Sequence, residues 1–282
     1  MRQNGIRLRV FSRAIVSLAL FVFLSTCFAP AVMADEAGWV LTQKSLTFGD
    51  QYLYISPSGF KCVNPRAGVA FVTRAPNWDV VMFNDRTRVC FNTTFEAWKR
   101  QLSGRMSSER SRQMSGSSWV RGGSGNIAGL RATQYVMQGV NAGLQRAAAK
   151  RGGGTISGAD YWVADQIQVP PRLAEMLANI YGLPTTVSIP LRLTCSTKEG
   201  GAKLVLDTYR SQTCPIPISY YNAPSGYKPV QSDVEVMADE ETKQMIDDMS
   251  RDLGTSGPGG TSRPITNQDL DKFLDAFKNR KR

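Results

Sequence analysis

The chain has 282 residues, 42% of them hydrophobic, with 34 Lys and Arg against 23 Asp and Glu and no histidine. The lack of histidine excludes Ser-His-Asp and Cys-His nucleophiles, histidine metal sites and the commonest general base. The formal charge of +11 falls mainly in the N-terminal stretch and in two Gly/Ser-rich segments rather than on a helix face, which argues for solvated loops and against nucleic-acid binding.

Residues 1–34 read as a signal peptide. Arg2, Arg7, Arg9 and Arg13 form a basic start, the run Ala14–Phe23 is apolar, and Val32-Met33-Ala34 offers a processing site before Asp35-Glu36. The apolar run is short for a membrane span. Leu24-Ser25-Thr26-Cys27 is similar to a bacterial lipoprotein box, with Thr26 where such boxes carry Gly, Ala or Ser, so lipidation at Cys27 is the alternative. Either reading places the mature chain outside the cytoplasm, periplasmic or secreted. The four arginines account for four of the eleven charges, leaving seven on a chain large enough for one sizeable domain.

From Trp39 to Asn92 the pattern predicts short strands at Trp39–Thr42, Gln51–Ile55, Phe60–Val63, Val69–Thr73, Trp78–Phe83 and Arg88–Phe91. Turn-forming clusters separate them, such as Ser56-Pro57-Ser58-Gly59 and Asn64-Pro65-Arg66-Ala67-Gly68. Alternation puts Trp78, Val80 and Met82 on one face. Thr93 and Glu96 have capping-box spacing before a helix carrying Phe95, Trp98 and Leu102.

Residues 103–126 read as a basic loop with a short strand near Ser118–Val120, and Ile127–Gln138 reads as one strand. A second basic loop is expected over 148–158, then a strand over Asp160–Val169 ended by Pro170-Pro171. Leu173, Met176, Leu177, Ile180 and Tyr181 next form an i, i+3, i+4, i+7, i+8 stripe, with Gly182 placed to stop the helix. Strands follow at Thr186–Cys195, Lys203–Tyr209, Ile216–Tyr221 and Tyr227–Val230. The domain is taken as 35–236. Beyond it come an acidic helix over 237–254, a Gly/Ser/Pro linker over 255–265 and a tethered amphipathic helix over 266–282. Leu270, Phe273, Leu274 and Phe277 share one face of that last helix, which suits docking to a membrane or an envelope protein.

Cys62, Cys90, Cys195 and Cys214 are an even set in a compartment that permits disulfides, and three pairings are open. Cys62–Cys90 with Cys195–Cys214 is favoured because each pair lies within one half of the chain. No CxxC spacing supports zinc or redox chemistry, and no cofactor is expected. Neither P-loop nor dinucleotide fingerprint is present, and the carboxylates at Asp239-Glu240-Glu241 and Asp247-Asp248 read as a solvated helix face. Many strands, few helices and sparse catalytic equipment suit a binding module and not an enzyme.

Asp160–Pro184 (DYWVADQIQVPPRLAEMLANIYGLP), Ile189–Leu193 (IPLRL), Lys203–Arg210 (KLVLDTYR) and Tyr220–Val230 (YYNAPSGYKPV) together resemble the later half of LolA/LolB-like extracytoplasmic domains. The resemblance extends over about Trp39 to Val236. It implies an α+β, mostly antiparallel fold in which a curved half-barrel sheet carries helices across its open side. It also implies a lipid or acylated ligand held by apolar burial, with Leu173, Met176, Leu177, Ile180 and Tyr181 lining or covering the cavity and Trp78, Val80 and Met82 on the sheet side. The alternative role is an envelope interaction or sensor scaffold that binds through its basic loops and C-terminal helix.

Overall fold

The computed structural model describes residues 35–46, 49–105, 113–114, 117–139, 142–143, 145–146, 155–184, 186–198 and 201–238. The expected signal peptide with Cys27, much of both basic loops, the acidic helix beyond Ala238, the linker and the C-terminal helix lie outside the described residues.

Twelve strands form one sheet. They are β1 (Glu36–Ser45), β2 (Gly49–Ser56), β3 (Gly59–Asn64), β4 (Val69–Arg74), β5 (Val80–Asn84), β6 (Val89–Thr93), β7 (Ser118–Ile127), β8 (Leu130–Gln138), β9 (Ile156–Gln168), β10 (Ser188–Thr197), β11 (Gly201–Ile216) and β12 (Lys228–Pro229). The helices are α1 (Phe95–Arg105), α2 (Pro171–Tyr181) and the short α3 (Asp233–Met237). Spatial order is β12-β6-β5-β4-β3-β2-β1-β11-β10-β9-β8-β7. Two antiparallel meanders, β1–β6 and β7–β11, therefore meet along the β1–β11 seam, which runs from Glu36 opposite Ile216 to Ser45 opposite Leu206. The sheet is curved and not closed, an α+β half-barrel with few helices. Among the described strands only β12 pairs in parallel, with β6.

The first meander follows the turn chemistry of its sequence. Glu36 fastens the Ser56–Gly59 turn by accepting from the Ser58 N–H at 3.1 Å and from the Ser58 hydroxyl. Burial alone would raise this carboxyl, but the Ser58 and Ser56 hydrogen bonds outweigh it and hold the group below its ordinary range. β5 starts two residues later than the pattern suggests. Trp78 has φ 61° and closes a turn on the Arg74 carbonyl at 2.8 Å, yet its ring is buried in the same cluster as Val80. α1 is capped by Thr94, whose hydroxyl accepts from the Ala97 N–H at 3.2 Å, and not by Thr93, which ends β6.

Four other expectations change in the second half. The stretch read as loop holds the ten-residue β7, and Ile127–Gln138 is not one strand. Ile127 pairs with Leu130 across the two-residue turn Ala128-Gly129, with φ 52° and 82°. Both positive angles fit a type I′ hairpin, which the Ala-Gly dipeptide does not advertise as Asn-Gly would. Residues 156–158, assigned to the second loop, begin β9. Residues 218–221, expected as strand, are a 3-10 turn whose Tyr221 is buried.

None of the four cysteines is bridged in the structure, and the two favoured pairs lie far apart. Cys62 and Cys90 sit on β3 and β6 with β4 and β5 between them, three strand spacings or about 14 Å apart. They also belong to different packed clusters. Cys195 lies opposite Lys203, and Cys214 is a further eleven residues along β11, on the order of 35 Å of extended chain.

A glycine in β1 shows how tightly the seam is closed. A Cβ on Gly38 would lie 2.4 Å from the Ile216 side chain and 2.8 Å from the Ile55 carbonyl oxygen, whereas one on Gly158 in β9 meets nothing within 4 Å. Gly38→Ala is expected to lower stability by about 1–3 kcal/mol and Gly158→Ala to leave it nearly unchanged. Urea midpoints of the two variants check this.

Candidate functional site

The site suggested by sequence is α2 and the strand residues facing it. Pro171 occupies the first helical turn, where its missing N–H costs nothing, and Gly182 ends the helix in the left-handed region at φ 69°. Between them the stripe turns inward. Leu173, Met176 and Leu177 are buried in the main cluster with Trp78 and Val80, and Met82 packs against it. Tyr181 is buried in the neighbouring cluster with Tyr161, Leu183 and Leu206, and Ile180 touches both. Seven of the eight predicted residues thus belong to or pack against the main cluster, and Tyr181 lies in the neighbouring one. Burial of each large side chain contributes about 1.5–3 kcal/mol.

α2 also rests on α1. Lys99 and Glu175 form an ion pair, Arg172 lies 5.3 Å over the Phe95 ring, and its guanidinium donates to the Asn77 carbonyl at 3.1 Å. The Glu175 hydrogen bond and its charge raise the Lys99 ammonium above its ordinary value. Beside the helix, a cavity of about 10 Å³ is bounded by Tyr161, Val163, Ala174, Leu177, Ala178 and Pro190, among others. That is room for about one water molecule.

Sequence reasoning missed a buried polar chain below α2. The Cys62 thiol donates to Gln51 Oε1 at 3.6 Å. Gln51 Nε2 donates to Gln43 Oε1 at 3.1 Å and reaches the Tyr181 hydroxyl at 3.5 Å. Gln43 Nε2 donates to Thr208 Oγ1 at 2.8 Å and the Pro190 carbonyl at 3.0 Å, and Thr208 Oγ1 donates to the Leu191 carbonyl at 2.7 Å. Five adjacent strands and the end of α2 are thus linked. The only sequence signal was polar residues at inward positions of β1, β2 and β11. Burial pushes the Cys62 thiol up to about 12. Burial likewise raises the Tyr181 phenol, against the opposing hydrogen bond from Gln51.

The opposite face of the first meander carries a different group. The Lys61 ammonium stands 3.9 Å over the Tyr220 ring and 5.7 Å from Phe83, and the Tyr227 hydroxyl donates to Asp85 at 2.5 Å. Burial lowers the Lys61 ammonium, partly offset by Asp85. Among the described residues no three His, Cys, Asp or Glu converge as metal ligands, and no helix is long and apolar enough to cross a membrane.

Fold and site together define an open antiparallel half-barrel with a packed helix on its inner side. No protein-family model and no curated protein matches the chain. Among solved structures, an uncharacterised conserved protein from Thermus thermophilus is 9% identical with TM-score 0.32, over 69% of this chain and 90% of that one. The MucA/MucB complex of Pseudomonas aeruginosa is matched at 10% identity and TM-score 0.31, over 70% of this chain and 59% of the other. A putative outer membrane lipoprotein-sorting protein domain from Vibrio parahaemolyticus follows at 10% and 0.21, over 65% and 86%. The chain thus spans a little over half of the MucB-complex chain it matches. Likeness this weak transfers no property from those proteins.

Two measurements probe the polar chain. Gln43→Leu strands Thr208, Pro190 and Gln51 without their partner and is expected to cost about 2–4 kcal/mol, with Thr208→Val costing about 1–2. A double-mutant cycle in urea should give a coupling of at least about 0.5 kcal/mol. For pH, the folded thiol titrates near 12 and the unfolded one near 9. The unfolded state therefore loses its proton first, and this stabilisation, complete below about pH 9, declines as pH rises toward 12. Cys62→Ala should flatten that part of the profile.

Proposed function

We propose that this chain is an exported, non-enzymatic interaction domain of the cell envelope, with the half-barrel as its scaffold. The observation that supports the reading is that the stripe of α2 is used in packing. The space beside it, bounded by Tyr161, Leu177 and Pro190, is about 10 Å³, against roughly 300–1,000 Å³ for ordinary ligand sites. The basic, apolar stretch over 1–34 supports export.

A lipid or acyl ligand held by Leu173, Met176, Leu177, Ile180, Tyr181, Trp78, Val80 and Met82 is the competing reading. It requires α2 to lift from the sheet, separating Lys99 from Glu175 and Tyr181 from Gln51. Each acyl CH₂ returns about 0.8 kcal/mol, so a long chain offsets part of that disruption. Native mass spectrometry after gentle extraction is expected to show the protein without bound lipid, and fatty-acyl probes should not bind. A lipid adduct at near-stoichiometric occupancy would overturn the interaction reading. Leu177→Ala is expected to cost about 2–5 kcal/mol of stability, and deleting 255–282 should remove any association made by the C-terminal segment while leaving the unfolding midpoint unchanged.

A further inference from the structure

The two edges of the sheet are finished differently. At one end β12 covers β6, with the Lys228 N–H on the Arg88 carbonyl at 2.8 Å and the Val230 N–H on the Cys90 carbonyl at 2.9 Å. Pro229 lies in that short strand, and α3 packs Val236 against Val69, Val89 and Phe91. Short length and proline are the usual guards of a sheet edge. At the other end β7 pairs, among the described residues, with β8 alone and is exposed at Ser118 and throughout Val120–Asn126. It is ten residues long and has no proline. Its only interruptions are Arg121 and a register shift between Arg121 and Ser124.

Antiparallel pairing leaves every second residue of such a strand with both its N–H and its C=O turned away from its neighbour. Gly122, Gly123 and Gly125 place no side chain in front of those groups, the composition found where another backbone comes close. Val120 and Val136 face each other across β7 and β8, exposed on the face opposite the buried Met137 and Tyr161. The β7–β8 hairpin carries Arg121 and Arg131, both exposed, and no Asp or Glu.

The geometry points to β7 as a docking edge for an extended, acidic segment of a partner protein, which adds as a thirteenth strand. Main-chain hydrogen bonds to β7 supply affinity, Val120 receives a small apolar side chain, and the two arginines select for carboxylates. A second copy of this chain is the poorer occupant, because it would bring two hairpins of like charge together. This inference rests on the interaction reading and names its surface.

The test uses the full chain and three decapeptides. One alternates threonine and valine with glutamates at both ends, one replaces the glutamates by lysines, and one carries a central proline. Fluorescence anisotropy should show the acidic peptide binding at least tenfold tighter than either of the others, with hydrogen exchange slowed in β7 and unchanged in β12. Ser124→Pro should weaken binding at least tenfold, and Arg121→Glu should reverse the peptide preference while leaving the urea midpoint near that of the parent. Equal binding of the acidic and lysine peptides, or no slowing of exchange in β7, overturns the proposal. So does β7 protection that rises with protein concentration in the absence of peptide, which assigns the edge to self-association. Cross-linking in the envelope tells the two possible failures apart. A partner retained by Ser124→Pro removes the β7 assignment and keeps the interaction reading, whereas stoichiometric lipid removes that reading itself.

Discussion

The described fold hangs on the seam where β1 meets β11, because among the described residues the two meanders share no other ladder in the sheet. A seam of ten paired positions needs more than backbone hydrogen bonds to fix its register, since a slip of one residue would exchange its faces. Gln43 supplies the pin. At Gln43 the pairing on β11 steps from Arg210 to Thr208, so Tyr209 becomes the extra residue. Thr208 is turned inward to Gln43, and Tyr209 is left 56% exposed. A second irregularity in β10, around Leu191, leaves the Pro190 and Leu191 carbonyls to be satisfied by Gln43 and Thr208. Two bulges that would each cost hydrogen bonds are made mutually dependent by one amide.

The same amide chain reaches Tyr181 through Gln51, so the end of α2 is tied to the strands that carry the seam. That link has a consequence for function. A helix held only by apolar contacts could slide aside for an acyl chain at a cost that the ligand returns. A helix whose movement also strands buried polar atoms loses about 1–3 kcal/mol for each one left unpaired. The polar chain therefore biases α2 toward staying packed on the sheet.

Local patterns in the sequence located much of this. The α2 stripe, its proline start and its Gly182 stop were legible because all three are short-range signals. The strands of the first meander were legible because turn clusters punctuate them. Of β7 only the start at Ser118–Val120 was legible, since Arg121–Asn126 has the composition of a loop, and only pairing with β8 makes it a strand. β11 was read at less than half its length because Ser211, Gln212 and Thr213 break the apolar pattern, yet they pair with Leu41, Val40 and Trp39 along the seam. The cysteine pairing was argued from proximity in sequence, which a twelve-stranded sheet does not respect. The polar chain was out of reach altogether, because Gln43 and Thr208 are 165 residues apart.

The stripe of α2 is used in packing, and the two edges of the sheet are uneven. One edge and the face beneath it are finished with β12, α3 and the aromatic group around Lys61, where Tyr54 and Tyr220 meet at 4.8 Å. The other end has a strand rich in glycine and serine that no other described strand pairs on its outer side. An unguarded edge carries an aggregation hazard, and a charged residue is among the means that limit it. Arg121 does this without closing the edge. Like charge repels a second copy while an acidic strand is still admitted, so one arginine both protects the edge and sets what can use it.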